Sequence, residues 1–186
     1  MVQIKHNINY QNVDQQMKYM KPLSLYQDFL KPRAAQQVRL LGLDVGNKLV
    51  GLAISDSDNK IAEPLRVLAR DKTDLGPMAV DLQHLISKYS VSAFVIGHPF
   101  YSRGNTRRVT QLQQFVNDLS KTGKLEDVPY TFYDDTYSTQ IAESLVKPFI
   151  IDPTKAKQVI SPFAAVSVLQ EYLDYITYDV KTEQDK

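Results

Sequence analysis

The chain has 186 residues, of which 43% are hydrophobic and 23% charged, and its formal net charge is +1. This length and composition suit one globular domain with a substantial core. The charge lacks the strong basic excess typical of nucleic-acid-binding proteins, so any such binding must depend on a local patch. The sequence contains no cysteine, which excludes disulfides and cysteine-ligated zinc within it, and no apolar run is long enough to span a membrane.

Residues 1–37 are polar and rich in Gln, Asn and Lys. They predict an N-terminal extension that is partly disordered, with a short docked helix over Met17–Leu30 that ends near Pro32. The segment lacks the apolar stretch of a secretory signal and the Arg- and Ser-rich, acid-poor composition of a transit peptide. We therefore expect a cytoplasmic protein, with the chloroplast or another organelle as the alternative.

Two apolar runs flank a tight turn and predict a β-hairpin. Val38–Leu43 has the length of a buried strand, and Leu49–Ile54 alternates large and small residues. Asp44 follows the first run, where a carboxylate is costly to bury unless a cation compensates it. Gly46 leaves room beside it for a backbone or a phosphate. The alternative is that Asp44 only caps the turn through backbone amides.

The third predicted strand is Lys60–Arg70, in which Pro64 favours an edge position. Two further strands are predicted over Ser92–Ile96 and Pro129–Tyr133. Four helices are predicted over Met78–Tyr89, Thr106–Lys121, Ser138–Lys147 and Thr154–Tyr175, so that helices and strands alternate after the third strand. Ser161-Pro162 matches an N-cap and a first helical position, which favours a break in the last helix. This order predicts an α/β domain over 38–177, with a mixed sheet of about five strands and helices on both faces. Residues 178–186 are a polar tail.

Three carboxylates follow strand ends: Asp44, Asp134 and Asp135. If their strands are neighbours, these groups converge at one end of the sheet, where they repel each other unless a cation lies between them. Oxygen ligands suit magnesium or manganese. Two such ions about 3.5–4 Å apart can hold the attacking and leaving oxygens of a phosphodiester. The alternative is a solvated turn, with Thr136, Ser138 or Thr139 capping the next helix.

Four short motifs occur in order along the chain and match those of a known family: Leu43-Asp44-Val45-Gly46-Asn47-Lys48, Ala53-Ile54-Ser55-Asp56, Ala62-Glu63-Pro64-Leu65 and Ile96-Gly97-His98-Pro99. Through them the chain resembles, over residues 40–175, the YqgF family of pre-ribosomal-RNA nucleases, relatives of the RuvC-type Holliday junction resolvases. The resemblance implies a ribonuclease H-like fold and cleavage of structured RNA (pre-rRNA) or branched DNA with Mg²⁺ or Mn²⁺. The N-terminal extension and Leu169–Tyr175 resemble the plant branch of the family.

The resemblance implies that Asp44, Asp135 and Asp134 are catalytic, and that Asp44 and Asp135 hold the metal. The chain departs from the family at three places. Asp135 stands where the family has Glu, and Thr136 stands where it has Arg. Ser161 replaces an Asp at the head of the last helix, so this position can still cap a helix but supplies no negative charge.

Three arginines are candidate phosphate contacts, because clustered Arg near a helix N-terminus suits phosphate: Arg103, Arg107 and Arg108. Their alternative is a solvated basic face. Lys48, which follows the strand-end carboxylate, is a fourth candidate, and its alternative is an ion pair with Asp44. The leading hypothesis for the chain is a metal-dependent nuclease of rRNA precursor processing. The second is a catalytically degenerate module that binds RNA, DNA or a protein without cutting, favoured by Ser161 and Thr136. A third is a phosphotransferase of the actin and hexokinase type, which needs two copies of the fold, whereas this length holds one.

Overall fold

A computed structural model describes residues 17–100, 106–150 and 152–184. Arg103, one of the predicted phosphate contacts, lies outside these ranges. Within them, no helix combines the length and the apolar character that crossing a bilayer requires.

Helical turns precede the sheet: α1 (Pro22–Ser24), a π-helical turn (Leu25–Leu30) and a 3-10 turn (Lys31–Gln36). Leu25 and Leu30 are buried in the domain core. Just before these turns, the Met20 amide donates to the Tyr130 carbonyl at 2.8 Å, and the Tyr130 amide donates to the Lys18 carbonyl at 2.9 Å. Residues 17–36 therefore fold against the domain.

The five strands are β1 (Arg39–Val45), β2 (Leu49–Ser55), β3 (Ala62–Ala69), β4 (Val91–His98) and β5 (Tyr130–Asp134). They form one sheet in the order β3-β2-β1-β4-β5. Strands β1, β2 and β3 pair antiparallel, whereas β4 and β5 run parallel to β1. This confirms the predicted hairpin and the ribonuclease H-like fold. Pro64 lies on edge strand β3, opposite a register shift between Leu52 and Ala53, as its missing N–H requires.

Four longer helices complete the fold: α2 (Gly76–Tyr89), α3 (Thr106–Ser120), α4 (Ser138–Val146) and α5 (Ala156–Gln184). Leu43 of β1 shares one core with Leu82 of α2 and Phe115 of α3. Leu40 of the same strand shares the opposite core with Leu169 of α5. Strand β1 is apolar from Leu40 to Leu43 because both of its faces are buried there.

The predicted break in the last helix at Ser161-Pro162 is wrong. Helix α5 runs without interruption through Pro162 and ends at Gln184, beyond the expected start of the tail at residue 178. Proline removes one N–H from a helix, and the carbonyl that loses this partner belongs to Gln158, which is exposed and can bond to water. Ser161 is therefore an interior helix residue, and its hydroxyl is available for another contact.

The backbone of α5 lies directly on β1 and β2. A Cβ atom at Gly51 would come within 2.1 Å of the Ser161 carbonyl oxygen, and one at Gly42 within 2.8 Å of the Leu169 Cβ. Gly51 is also the cross-strand partner of Asp44. The missing side chain at Gly51 therefore brings Ser161 next to the strand position that carries Asp44.

We expect Gly51→Ala to reduce the free energy of unfolding by about 2–3 kcal/mol, because the added methyl group must push α5 away from the sheet. Gly76→Ala is the matched control, since its new methyl group would meet only the end of the exposed Asp74 side chain. Urea denaturation followed by circular dichroism measures both. Equal effects of the two substitutions would contradict the close approach as the cause.

Candidate active site

Two carboxylates meet at the carboxyl edge of the parallel strands. Asp44 lies near the end of β1, and Asp135 directly follows β5. The two residues are only 7% and 2% exposed, respectively. Parallel strands end at the same edge of a sheet, so the convergence that the sequence predicted for these two acids is present.

Arg108, near the start of α3, provides the positive charge between them. Its Nη2 atom lies 2.6 Å from Oδ2 of Asp135 and 4.0 Å from Oδ1 of Asp44. One guanidinium nitrogen therefore faces both carboxylates. Arg108 was predicted as a phosphate contact, and the structure places it as the counter-charge of the acid pair.

Ser161 lies close to Asp44, because α5 approaches β2 at Gly51. Its hydroxyl lowers the pKa of the Asp44 carboxyl. The family position that would carry a third acid is thus a neutral donor. It stabilises the charge of Asp44 and adds none of its own.

Backbone contacts fix Asp135. Its amide donates to the His98 carbonyl at 3.1 Å, and its carbonyl accepts from the Ser138 hydroxyl at 3.0 Å. A Cβ atom at Gly97 would lie only 3.0 Å from Oδ2 of Asp135, so this glycine leaves the room that the carboxylate fills. The other oxygen, Oδ1, is buried and has no hydrogen-bond partner among the described residues. This orphaned acceptor has capacity for a cation or a donor.

Burial dominates the ionisation of both acids. It raises the pKa of Asp135 to about 6; Arg108 opposes this shift and the nearby Asp44 charge adds to it. Burial also raises the pKa of Asp44, against the lowering effects of Arg108 and the Ser161 hydroxyl. Desolvation penalises the charged form, and a like charge does the same. The pair is therefore incompletely compensated by Arg108.

A cleft of about 820 Å³ opens above Asp44. Four of its lining residues are cations: Lys48, Arg70, Arg108 and Lys157. Arg70 is anchored, since its Nη1 donates to the Gly46 carbonyl at 2.8 Å and its guanidinium lies 4.8 Å from the centre of the Phe115 ring. A chain with almost no net charge thus concentrates positive charge around one cavity, which is the local patch that anion binding requires.

Arg70 and Lys157 were not identified from the sequence. A signal for Arg70 existed, because an antiparallel β3 must end beside the start of β2 and hence beside the Asp44 turn. The Arg70 amide indeed donates to the Lys48 carbonyl at 2.8 Å. Lys157 had no such signal, since its place depends on how α5 packs across the sheet.

The other predicted site residues lie in different settings. Asp134 accepts hydrogen bonds from the Thr136 hydroxyl at 2.6 Å and the Thr136 amide at 3.3 Å and does not line the cleft. Lys48 lines the cleft and is exposed, and within the described part of the chain no ion pair joins it to Asp44. Arg107 is exposed and outside the cleft lining.

Three other acids, Asp152, Asp174 and Glu143, could supply the missing ligand only if they faced the cleft. Asp152 accepts from the Thr154 hydroxyl at 2.6 Å, and Asp174 accepts from Gln170 at 3.0 Å, so both are engaged elsewhere. Glu143 of α4 lines the cleft and is exposed. Of the three, Glu143 is the one in the described cleft lining, but it does not form a group with Asp44 and Asp135 among the described residues.

The donor set fits one divalent cation and not two. In the described ranges, no three His, Cys, Asp or Glu side chains are grouped as a metal centre would need. Asp44, Asp135 and Ser161 nevertheless present only oxygen atoms, and Mg²⁺ commonly takes one or two carboxylates and several waters. The orphaned Oδ1 of Asp135 is a further unused ligand. A second ion would need the third carboxylate that Ser161 replaces.

The family model described as "RuvX: Holliday junction resolvase" matches residues 38–175. The chain belongs to the RuvX family. A Bacillus mycoides protein is 37% identical over 139 residues, which cover 74% of this chain and 98% of that protein. A Dictyoglomus turgidum protein is 34% identical over 145 residues, covering 77% and 99%. Both are named "Putative pre-16S rRNA nuclease".

Solved structures similar to this RuvX chain include Thermus thermophilus RuvC in complex with a Holliday junction substrate. It is 13% identical, with a TM-score of 0.48, over 75% of this chain and 96% of that one. A fowlpox virus resolvase bound to Holliday junction DNA is 10% identical, with a TM-score of 0.42, over 75% and 99%.

The raised pKa of Asp135 predicts a pH dependence of stability. Its folded-state pKa of about 6 exceeds the unfolded value near 3.9, so the folded protein binds more protons between about pH 4 and pH 6. The free energy of unfolding should therefore fall as pH rises through this window. The loss attributable to Asp135 is up to about 3 kcal/mol, because each pKa unit corresponds to about 1.4 kcal/mol.

Urea denaturation at intervals across this pH window checks the prediction. Wild type should lose more stability with rising pH than Asp135→Asn, which cannot titrate. Parallel curves for the two proteins would show that Asp135 ionises in the folded state as it does in water.

Proposed function

We propose that this RuvX-family protein binds the phosphodiester backbone of a structured rRNA precursor in the cleft and hydrolyses it with the help of one divalent cation. The observation that carries the proposal is the buried carboxylate of Asp44 in the lining of a cleft that also contains cations, with buried Asp135 next to it across Arg108. Backbone phosphates supply most of the attraction in nucleic-acid binding. The names of the relatives support RNA as the ligand.

The roles of the residues follow from their positions. Asp44 and Asp135 would hold the cation, with the Ser161 hydroxyl orienting Asp44. Such a cation supplies charge stabilisation at the phosphate and makes water a stronger nucleophile. Lys48 and Lys157, both on the cleft lining, neutralise neighbouring phosphates and fix the position of the strand.

A second candidate function is binding without cleavage. Ser161 in place of an acid, together with the 2.6 Å ion pair between Arg108 and Asp135, favours it. Under this alternative Arg108 remains the permanent counter-charge of the pair. The cleft then serves only to hold the nucleic acid.

Cleavage of a structured RNA and of a branched DNA in Mg²⁺ or Mn²⁺ distinguishes these functions. We expect wild type to cleave the RNA and Asp44→Asn to cleave it at least about 100-fold more slowly. Loss of a group that only supports a metal ligand typically costs about 10–100-fold in metal affinity or activity, and Asp44 would itself be one of two carboxylate ligands. Asp174→Asn, which removes an exposed acid on α5 that contacts Gln170, is the matched control and should cleave normally.

If folded wild type binds the RNA and leaves it intact, and if Ser161→Asp combined with Asp135→Glu does not produce cleavage, the hydrolytic proposal is overturned and the binding function stands. Preferential cleavage of branched DNA would retain the hydrolysis and change the substrate.

The cationic lining predicts a salt-dependent affinity. Lys157→Ala should weaken RNA binding and lower the slope of log affinity against log salt by about 1, the value for one lost phosphate contact. Lys124→Ala is the control, since Lys124 is exposed in the loop after α3 and outside the cleft lining. Fluorescence anisotropy over a salt series measures both. An unchanged slope in Lys157→Ala would remove Lys157 from the interface.

A further inference from the structure

Arg108 stands where the two carboxylates would share a cation. Its Nη2 is within 4.0 Å of both Asp44 and Asp135, and the carboxylates it faces are almost fully buried. A guanidinium and a divalent ion so close together would repel each other strongly in a poorly solvated site. The two cations therefore exclude one another, and the ion can enter only when Arg108 leaves.

The guanidinium of Arg108 could contact a phosphate in the cleft in place of the carboxylates. Its side chain is 37% exposed and forms part of the cleft lining. Guanidinium groups match phosphate oxygens with two parallel hydrogen bonds. A backbone phosphate in the cleft can thus compete with Asp135 for the same group.

A divalent cation in place of Arg108 could bind carboxylate oxygens of the pair that Arg108 does not contact. Oδ1 of Asp135 is buried without a hydrogen-bond partner among the described residues, and Asp44 lies a full 4.0 Å from the Arg108 Nη2 atom. A hard cation can accept several carboxylate oxygens at once. Removing Arg108 without supplying such a cation would leave two buried charges uncompensated.

We infer that Arg108 couples the two ligands of the site: bound phosphate draws the guanidinium off the aspartates, and the divalent cation then takes its place. This inference rests on the proposed function in that it takes the phosphate to be that of a nucleic-acid backbone. Because such coupling is reciprocal, the cation raises the affinity for nucleic acid as much as nucleic acid raises the affinity for the cation. Arg108 is a positioning residue that restricts the metal to the occupied cleft.

Mn²⁺ binding to the full chain, followed by the electron paramagnetic resonance signal of free Mn²⁺, tests the coupling without any measurement of cleavage. The RNA probe is a short hairpin with phosphorothioate linkages, which retain the negative backbone charge and slow the attack of water on phosphorus. Wild type, Arg108→Gln and Arg108→Lys are compared with and without the probe. Asp44→Asn with the same RNA measures the Mn²⁺ that the RNA itself binds, and thermal melts confirm that every variant is folded.

For wild type we expect weak Mn²⁺ binding that the RNA strengthens by at least about fivefold, the lower end of typical coupling between sites. Arg108→Gln should bind Mn²⁺ at least about tenfold more tightly than wild type without RNA, and the RNA should add almost nothing further. Arg108→Lys retains the charge but loses the forked geometry, so it should still exclude Mn²⁺ and respond less to RNA.

Equal Mn²⁺ affinities of wild type and a folded Arg108→Gln would overturn the exclusion. RNA that binds wild type without changing its Mn²⁺ affinity would overturn the coupling and leave Arg108 as a fixed counter-charge. Failure of RNA to bind would overturn the proposed function and the coupling together, whereas the Mn²⁺ affinities measured without RNA would still decide whether Arg108 excludes the ion.

Discussion

Two carboxylates buried at the end of a sheet are the constraint on which the site depends. Neither Asp44 nor Asp135 can ionise inside the protein at ordinary cost, since each has lost most of its water and lies near the other. Three nearby residues reduce the free-energy cost of ionising the two acids. Arg108 brings a positive charge, Ser161 brings a hydroxyl, and the missing side chain of Gly97 leaves space for the Asp135 carboxylate.

The contact between α5 and the sheet determines which groups reach the acids. With Gly51 opposite Asp44 on the neighbouring strand, the helix backbone lies close enough for Ser161 to face Asp44. The same contact carries Lys157, one turn earlier, into the cleft lining. The packing of α5 on the sheet at Gly51 therefore determines two features of the site. It places Ser161 beside Asp44, and it places Lys157 in the cleft lining.

Much of this arrangement could be predicted from the sequence because it follows from local patterns. The apolar run of β1, which ends at Asp44, specifies a strand and a carboxylate at its end, and strand order then brings Asp135 to the same edge. The interior course of α5 could not be predicted, because Ser161-Pro162 satisfies the local rules for a helix start. Tertiary packing overrode those rules.

The role of Arg108 as the counter-charge of the two carboxylates could not be predicted from the sequence either. A basic residue at a helix start is equally suited to phosphate and to a buried acid. Which of them it meets depends on the distance between α3 and the carboxyl edge, and only the folded chain sets that distance. Asp134 and Asp135 are adjacent and chemically identical, yet Thr136 holds the first while the second enters the site.

The N-terminal turns have a consequence for the behaviour of the protein in solution. Strand β5 is an edge strand, and an open edge can pair with strands of other molecules. Residues 18–20 occupy the backbone groups of Tyr130, and the Tyr172 hydroxyl donates to the Pro22 carbonyl at 2.9 Å. The family match begins only at residue 38. The segment before it nevertheless covers part of this edge, so a chain cut back to residues 38–175 would expose backbone groups that can pair with other molecules.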